Sequence, residues 1–427
     1  MYCCLSLFEK NNAATKIDIM IQKNIQFYKF ALYGFLKNLM FFEPFLILFF
    51  RDIGLSFLQI GILFTVREAV TNITEIPTGI LADSVGRRIT MVFSMIAYII
   101  SFAIFFFLND YLSMICAMSF FGLGESLRSG THKSLILSYL RMNHCEDKKV
   151  EYYGLTRSYS QMGSAVNALI AAFLVFFYGN YRVVFIAALI PYLVNLVNLA
   201  SYPKEIDQEI HNKKKTPYRF LDMFKSVDNI RIFLNSSLFD AFFKTVKEYL
   251  QPILAALALS LPLFVELNPE KRTSVVVGIC YFFIYLLTTY SAKNAHQVAK
   301  RAKHLSVALN LTFLAGMVLV LLAGLFNVLS LNIIPVILFL LIFVLQNLRR
   351  PLNVSLISDI IPSEKLSTGL SVESQLKTIF IGVFSPLLGF LADKIGVGWA
   401  LFAFSGFMLM AYPAVKISRK NEGEPYR

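Results

Sequence analysis

Asp240, Lys244, Lys247 and Gln251 recur at helical spacing, as do Glu125, Arg128 and His132, so each set shares one face of a helix. Both lie within apolar runs long enough to cross a bilayer, and so do Glu43, Arg67, Glu68, Glu373 and Lys377. A charge at mid-bilayer costs at least ~2.5–3.5 kcal/mol on insertion scales, so such groups face one another or a wet cavity. The chemistry open to them is ionic recognition and proton binding. On the fourth, seventh and tenth runs the basic groups Arg128, Lys133, Lys244, Lys247, Arg349 and Arg350 exceed the acids Glu125, Asp240 and Glu248. Uncompensated cations call for a counter-ion. This predicts a small-molecule solute, anionic or zwitterionic, held chiefly by Arg128, Lys244 and Lys247, with Asp240, Glu125, Arg349, Gln161 and Lys377 contributing. A neutral carboxyl is the cheaper form in an apolar setting, which makes Glu43, Glu68 and Glu373 expected sites for a coupling proton, together with His132 near the inner mouth. The same charges can equally serve as salt bridges. Glu125 with Arg128, Lys244 with Glu248 and Glu373 with Lys377 have the helical spacing for it, and Arg67 is adjacent to Glu68 in the chain.

The elements that must position these residues follow from hydropathy. Of 427 residues, 56% are hydrophobic and 16% charged, against ~25% charged in soluble chains, and the mean hydropathy is +0.61. Runs of ~20 apolar residues, enough to span ~30 Å of hydrocarbon, fall at 27–50, 57–80, 89–108, 111–138, 153–178, 183–201, 229–258, 273–292, 305–326, 331–357, 366–389 and 397–415. The longest polar stretch lies at the midpoint. The expected architecture is an all-α integral membrane protein of twelve transmembrane helices in two six-helix halves: a segment 1–26, a first half 27–201, a linker 202–228, a second half 229–415 and a tail 416–427. Phe220, Phe224, Val227 and Ile230 recur at helical spacing after Lys213-Lys214-Lys215, which predicts a linker helix lying on the membrane surface.

With both termini inside, only Arg51, Arg182, Lys271, Arg272 and Lys394 fall in outside loops, and the other loop lysines and arginines lie inside. This bias sets a cytoplasmic location for both termini and absorbs the net charge of +13 without a nucleic-acid partner. The first residues lack a signal-peptide pattern, so the first span is expected to direct insertion. The compact loops suggest a plasma membrane, of the bacterial inner-membrane kind.

Between spans two and three the chain reads Gly79-Ile80-Leu81-Ala82-Asp83-Ser84-Val85-Gly86-Arg87-Arg88. Glycines let helices and a tight connection approach closely, Asp83 can cap a helix N-terminus, and the arginines anchor at the interface. The segment resembles the G-x-L-A-D-x-x-G-R-R signature of the major facilitator superfamily. Gly122-x-Gly124, Ser129-Gly130-Thr131 and the stretch from Arg350-Pro351 to Pro362-Ser363-Glu364 agree with that family. Gly389-Phe390-Leu391-Ala392-Asp393-Lys394-Ile395-Gly396 looks like a second copy, yet it falls on the outside. The resemblance implies a secondary transporter, a symporter or antiporter, whose halves rock around a central site. It gives Gly79, Asp83, Gly86, Arg87 and Arg88 a gating role. Met118 replaces the span-four arginine of many proton-driven efflux members, and Gln161-Met162-Gly163-Ser164-Ala165 lacks the Gly-Pro pattern of drug–proton exchangers. Efflux of drugs or metabolites is therefore the second reading, and a non-transporting receptor a distant third.

No G-x-x-x-x-G-K-[ST] loop and no catalytic Ser/His/Asp or H-E-x-x-H set is present in the sequence, so neither ATP-driven transport nor an enzyme is expected. Cys3, Cys4, Cys116, Cys145 and Cys280 have no metal-ligand spacing. No metal, no cofactor and a monomeric chain are expected.

Overall fold

The computed structural model describes residues 24–143, 149–206, 227–262, 265–301, 304–360 and 366–418, and all regular structure among them is helical. The first crossing is α1 (Ile25–Lys37), a 3-10 turn over Glu43–Phe45 and α2 (Leu46–Asp52). There follow α3 (Phe57–Val85), α4 (Arg87–Phe107), a fourth crossing of α5 (Tyr111–Arg128) with α6 (Thr131–Met142), α7 (Lys149–Tyr178) and α8 (Val183–Ala200). The second half repeats the plan. It holds α9 (Val227–Val246), a 3-10 turn over Lys247–Tyr249, α10 (Leu250–Ser260), α11 (Pro269–Arg301), α12 (Leu305–Val328), α13 (Ile333–Ile360) and α14 (Leu366–Val415). Helix α14 supplies two crossings, because Gly396 breaks it with φ 81° and ψ 161°. Most of the expected linker helix lies outside the described residues. Its Val227 and Ile230 belong to α9.

Local chemistry fixes the helix ends. The Asn24 side chain accepts from Phe27 N, Asp110 caps α5, and Ser56 with Gln59 forms a reciprocal capping box at α3. Helix α3 runs five residues beyond the expected end of its span, through the signature itself, and only Gly86, at φ 106°, separates it from α4. Seven helical segments are long and apolar enough to cross a membrane by length and composition. The first, second, fourth and seventh crossings fall outside that set, and these hold Glu43, Arg67, Glu68, Glu125, Arg128 and the Asp240–Glu248 stripe. Many of the ionisable groups thus lie on these four crossings, with Arg349, Arg350, Glu373 and Lys377 on α13 and α14, while Phe107, Phe173, Val197 and Met410 stay exposed on the outer surface, as side chains facing lipid would.

The halves meet where α3 packs on α14 and α7 on α11. An even number of crossings returns the chain to its starting side, here the termini side. On the far side the contact is between backbones. A Cβ at Gly61 would lie 2.3 Å from Ser385 O, and one at Gly389 2.3 Å from Phe57 O. Asp393 closes the same end, its two carboxylate oxygens accepting from Phe57 N and Leu58 N at 2.8 Å each.

Candidate functional site

A cavity of ≈ 370 Å³ lies on the termini side. Its wall comes from α1 (Phe30, Tyr33, Gly34, Lys37), α6 (His132, Ile136), α7 (Thr156, Arg157, Ser160, Gln161) and, from the other half, α13 (Arg350). No carboxylate lines it among the described residues. Phe30, Tyr33, Gly34 and Lys37 form one stripe of α1, and Asn24 and Lys29 tie that helix to its neighbours through Tyr139 Oη and Ser201 O. The imidazole of His132 stacks on Tyr33, centroids 3.9 Å apart, with Phe30 edge-on at 5.6 Å. His132 Nε2 and Tyr33 Oη are buried and have no hydrogen-bond partner. Neither Lys37, Arg157 nor Arg350 forms an ion pair among the described residues.

Above the cavity the buried charges are paired. Glu125 accepts from Arg128 at 2.5 Å and from Tyr98 Oη, so Arg128 carries its own counter-charge. The expected pairing of Arg67 with Glu68 is present at 3.3 Å. Lys244 does not turn to Glu248. It donates across the halves to both oxygens of Glu68, at 3.1 and 3.0 Å, and Lys247 takes Glu248 at 3.2 Å and Glu43 at 3.8 Å. The amide of Gln251 links the same place, donating to Glu43 O at 3.0 Å and accepting from Ile47 N at 2.8 Å. Beside it a ≈ 50 Å³ pocket is lined by Glu43, Lys247, Glu248, Tyr281, Ile284, Tyr285 and Phe343.

The rest of the sequence-derived set is dispersed. Asp240 accepts from Gln346 at 2.9 Å, and Glu373 accepts from Ser236 with no ion pair to Lys377, which is half-buried. Arg349 is fully buried and spends its guanidinium on Leu309 O, Thr312 Oγ1 and Asn235, over the Phe239 ring at 4.4 Å. Of the residues expected to bind solute, the cavity wall holds Gln161 alone, and of those expected to take a proton it holds His132. Lys37 and Tyr33 were overlooked, although the stripe they share with Phe30 was available as a signal. Of the expected gating residues, Gly79 borders open space and Asp83 is exposed. Arg87 donates to Ser138 Oγ at 3.1 Å and Arg88 to Ala200 O at 2.9 Å, tying the start of α4 to α6 and α8.

A twelve-crossing bundle whose polar cavity lies between two helical halves is the construction of a multi-pass membrane transporter. The sequence pattern of the Major Facilitator Superfamily matches residues 30–377, and the chain belongs to that family. It is 23% identical over 395 residues to the uncharacterized MFS-type transporter YxaM of Bacillus subtilis (strain 168), covering 90% of this chain and 93% of that one. The fold superposes on the nucleoside transporter NupG with a TM-score of 0.71 at 12% identity, over 92% and 98% of the two chains. It also superposes on the peptide transporter POT in complex with sulfate, with a TM-score of 0.66 at 14% identity, over 91% and 94%.

Proposed function

We propose that this transporter is secondary active and carries a small organic anion or zwitterion by alternating access, through the cavity bounded by Lys37, Arg157 and Arg350. The observation that carries this reading is the composition of the wall: three cations, a free imidazole nitrogen, a phenol and an amide, with no carboxylate. Arg157 and Arg350 are exposed and Lys37 is half-buried, so an anion from the adjoining solution can reach all three. Two of the three, Arg157 and Arg350, offer the planar fork that suits carboxylate or phosphate. Arg128, Lys244 and Lys247, which the spacing favoured, already have carboxylates: Lys244 and Lys247 hold the halves in register, and Arg128 is neutralised within α5 by Glu125.

Glu43 and Glu68 bridge the halves through lysines, pairs that must rearrange when the halves move against each other. The loop charges support cytoplasmic termini in a plasma membrane, which would make the cavity cytoplasm-facing, with Asp83 and Arg87 gating that side. No observation favours drug efflux.

The test is transport of labelled carboxylates, phosphates, amino acids and a lipophilic cation by purified protein in liposomes. Saturable anion uptake is expected, reduced roughly 10–100-fold by Arg157→Gln or Arg350→Gln, the worth of a charge-assisted hydrogen bond at 1.4 kcal/mol per tenfold. Saturable uptake of the cation alone would overturn it.

A further inference from the structure

Resting on that anion reading, we infer that the protein is an obligate exchanger of multivalent anions, unable to return across the membrane empty. Alternating access must close the termini side by bringing α13 of one half toward α1 and α7 of the other. That motion drives Arg350 toward Lys37 and Arg157. Like charges repel more strongly as water leaves, and the nearby acids are committed elsewhere: Glu125 to Arg128 and Tyr98, Glu68 to Arg67 and Lys244, Asp240 to Gln346, Glu373 to Ser236. No described residue of the wall is a carboxylate that could neutralise the closing cavity, so the solute must do it. A solute with two or more negative charges, such as a phosphate ester or dicarboxylate, matches the three cations and a volume of ≈ 370 Å³. The loaded carrier closes; the empty one is held open.

Liposomes holding the protein, with the potential clamped by valinomycin and potassium, separate the possibilities. Radiolabelled phosphate and succinate are the probes, offered to vesicles loaded with unlabelled probe or with an uncharged sugar. Uptake is expected at least about 20-fold faster into anion-loaded vesicles, and Arg350→Gln, which weakens anion uptake overall, should shrink that ratio because its emptied cavity closes more readily. Equal uptake into both, or uptake into sugar-loaded vesicles driven by an imposed proton gradient, overturns obligate exchange while leaving the anion reading standing. If neither probe is taken up or shifts the melting temperature, the anion reading itself fails.

Independently, the geometry points to the second copy of the signature as a latch for the far side. Gly389–Gly396 repeats Gly79–Gly86 with leucine, alanine and aspartate at the same offsets. Both copies end on a left-handed glycine, φ 81° at Gly396 and 106° at Gly86, and the next helix starts at the following residue. Asp393 grips the first two amides of α3, where a carboxylate also meets the positive end of the helix dipole. Its counterpart Asp83 is exposed and engages nothing described. One latch is shut while the other is free, as a two-state carrier requires.

Single-molecule energy transfer between dyes on Leu112→Cys and Leu331→Cys, in an otherwise cysteine-free protein, reports the far side. Asp393→Ala should enlarge the wide-separation population at least fivefold, and Asp393→Asn, which keeps one acceptor, should do so less. An unchanged distribution in Asp393→Asn and in whatever Asp393→Ala folds would overturn the latch.

Discussion

Lys244 and Glu68 join the two halves by a bidentate ion pair, 3.1 and 3.0 Å long, on a carboxylate that Arg67 also holds. The two positions are unequal. Glu68→Gln leaves two cations facing one neutral amide, a loss of ~3–5 kcal/mol. Lys244 is 39% exposed and its removal leaves Arg67 in place, so Lys244→Met should cost ~1 kcal/mol. The combination of Glu68→Gln with Lys244→Met should melt above Glu68→Gln alone. Thermal melting in detergent measures all three.

Far-side closure depends on two missing side chains. Gly61→Ala or Gly389→Ala would place a methyl group 2.3 Å from a carbonyl oxygen of the other half, which only separation of the halves relieves. Transport should fall at least ~10-fold, since 1.4 kcal/mol of bias against the closed state is enough. A cysteine at the buried position Ser385 should become reactive to an impermeant maleimide in these variants.

Arg349 and Arg350 are adjacent yet predict opposite phenotypes. Arg349→Leu removes the link from α13 to Asn235 of α9 and to Leu309 and Thr312 of α12, leaving buried acceptors unpaired at ~1–3 kcal/mol each. It should lower the melting temperature and leave anion affinity in the surviving protein intact. Arg350→Gln should do the reverse. Melting and binding on the same preparations distinguish them.

Gln251 satisfies Ile47 N near the start of α2 and Glu43 O in the turn before it. Gln251→Leu strips both and should destabilise by ~2 kcal/mol or more, whereas Gln251→Glu, which keeps the acceptor, should recover the part due to Ile47. The comparison is again one of melting temperatures.

The crossings were legible because a bilayer imposes one length on every apolar run, and the spans 57–80 and 89–108 needed only their ends adjusted to α3 and α4. Partners were not legible. Chain adjacency paired Arg67 with Glu68 and helical spacing Glu125 with Arg128, but Lys244 finds its acid 176 residues away, and no local pattern records that. Counting cations on a helix face therefore pointed at Lys244 and Lys247, which are neutralised from the opposite half. It passed over Lys37, whose helix ends just beneath the first kink and presents it to the cavity. Arg349 and Arg350 are indistinguishable by depth in the sequence, and one turn of α13 sends the first into the bundle and the second to the wall.

Lacking acids of its own, the cavity borrows its neutrality from the surrounding solution. Small ions of the medium would then compete with every solute for the open cavity, without carrying the charge that closing it needs. Apparent affinity should weaken as ionic strength rises, as it does for charges reached through water. On the proposed anion reading, the carrier would respond to the total anion content of the compartment it faces, and its set point would move with the salt around it.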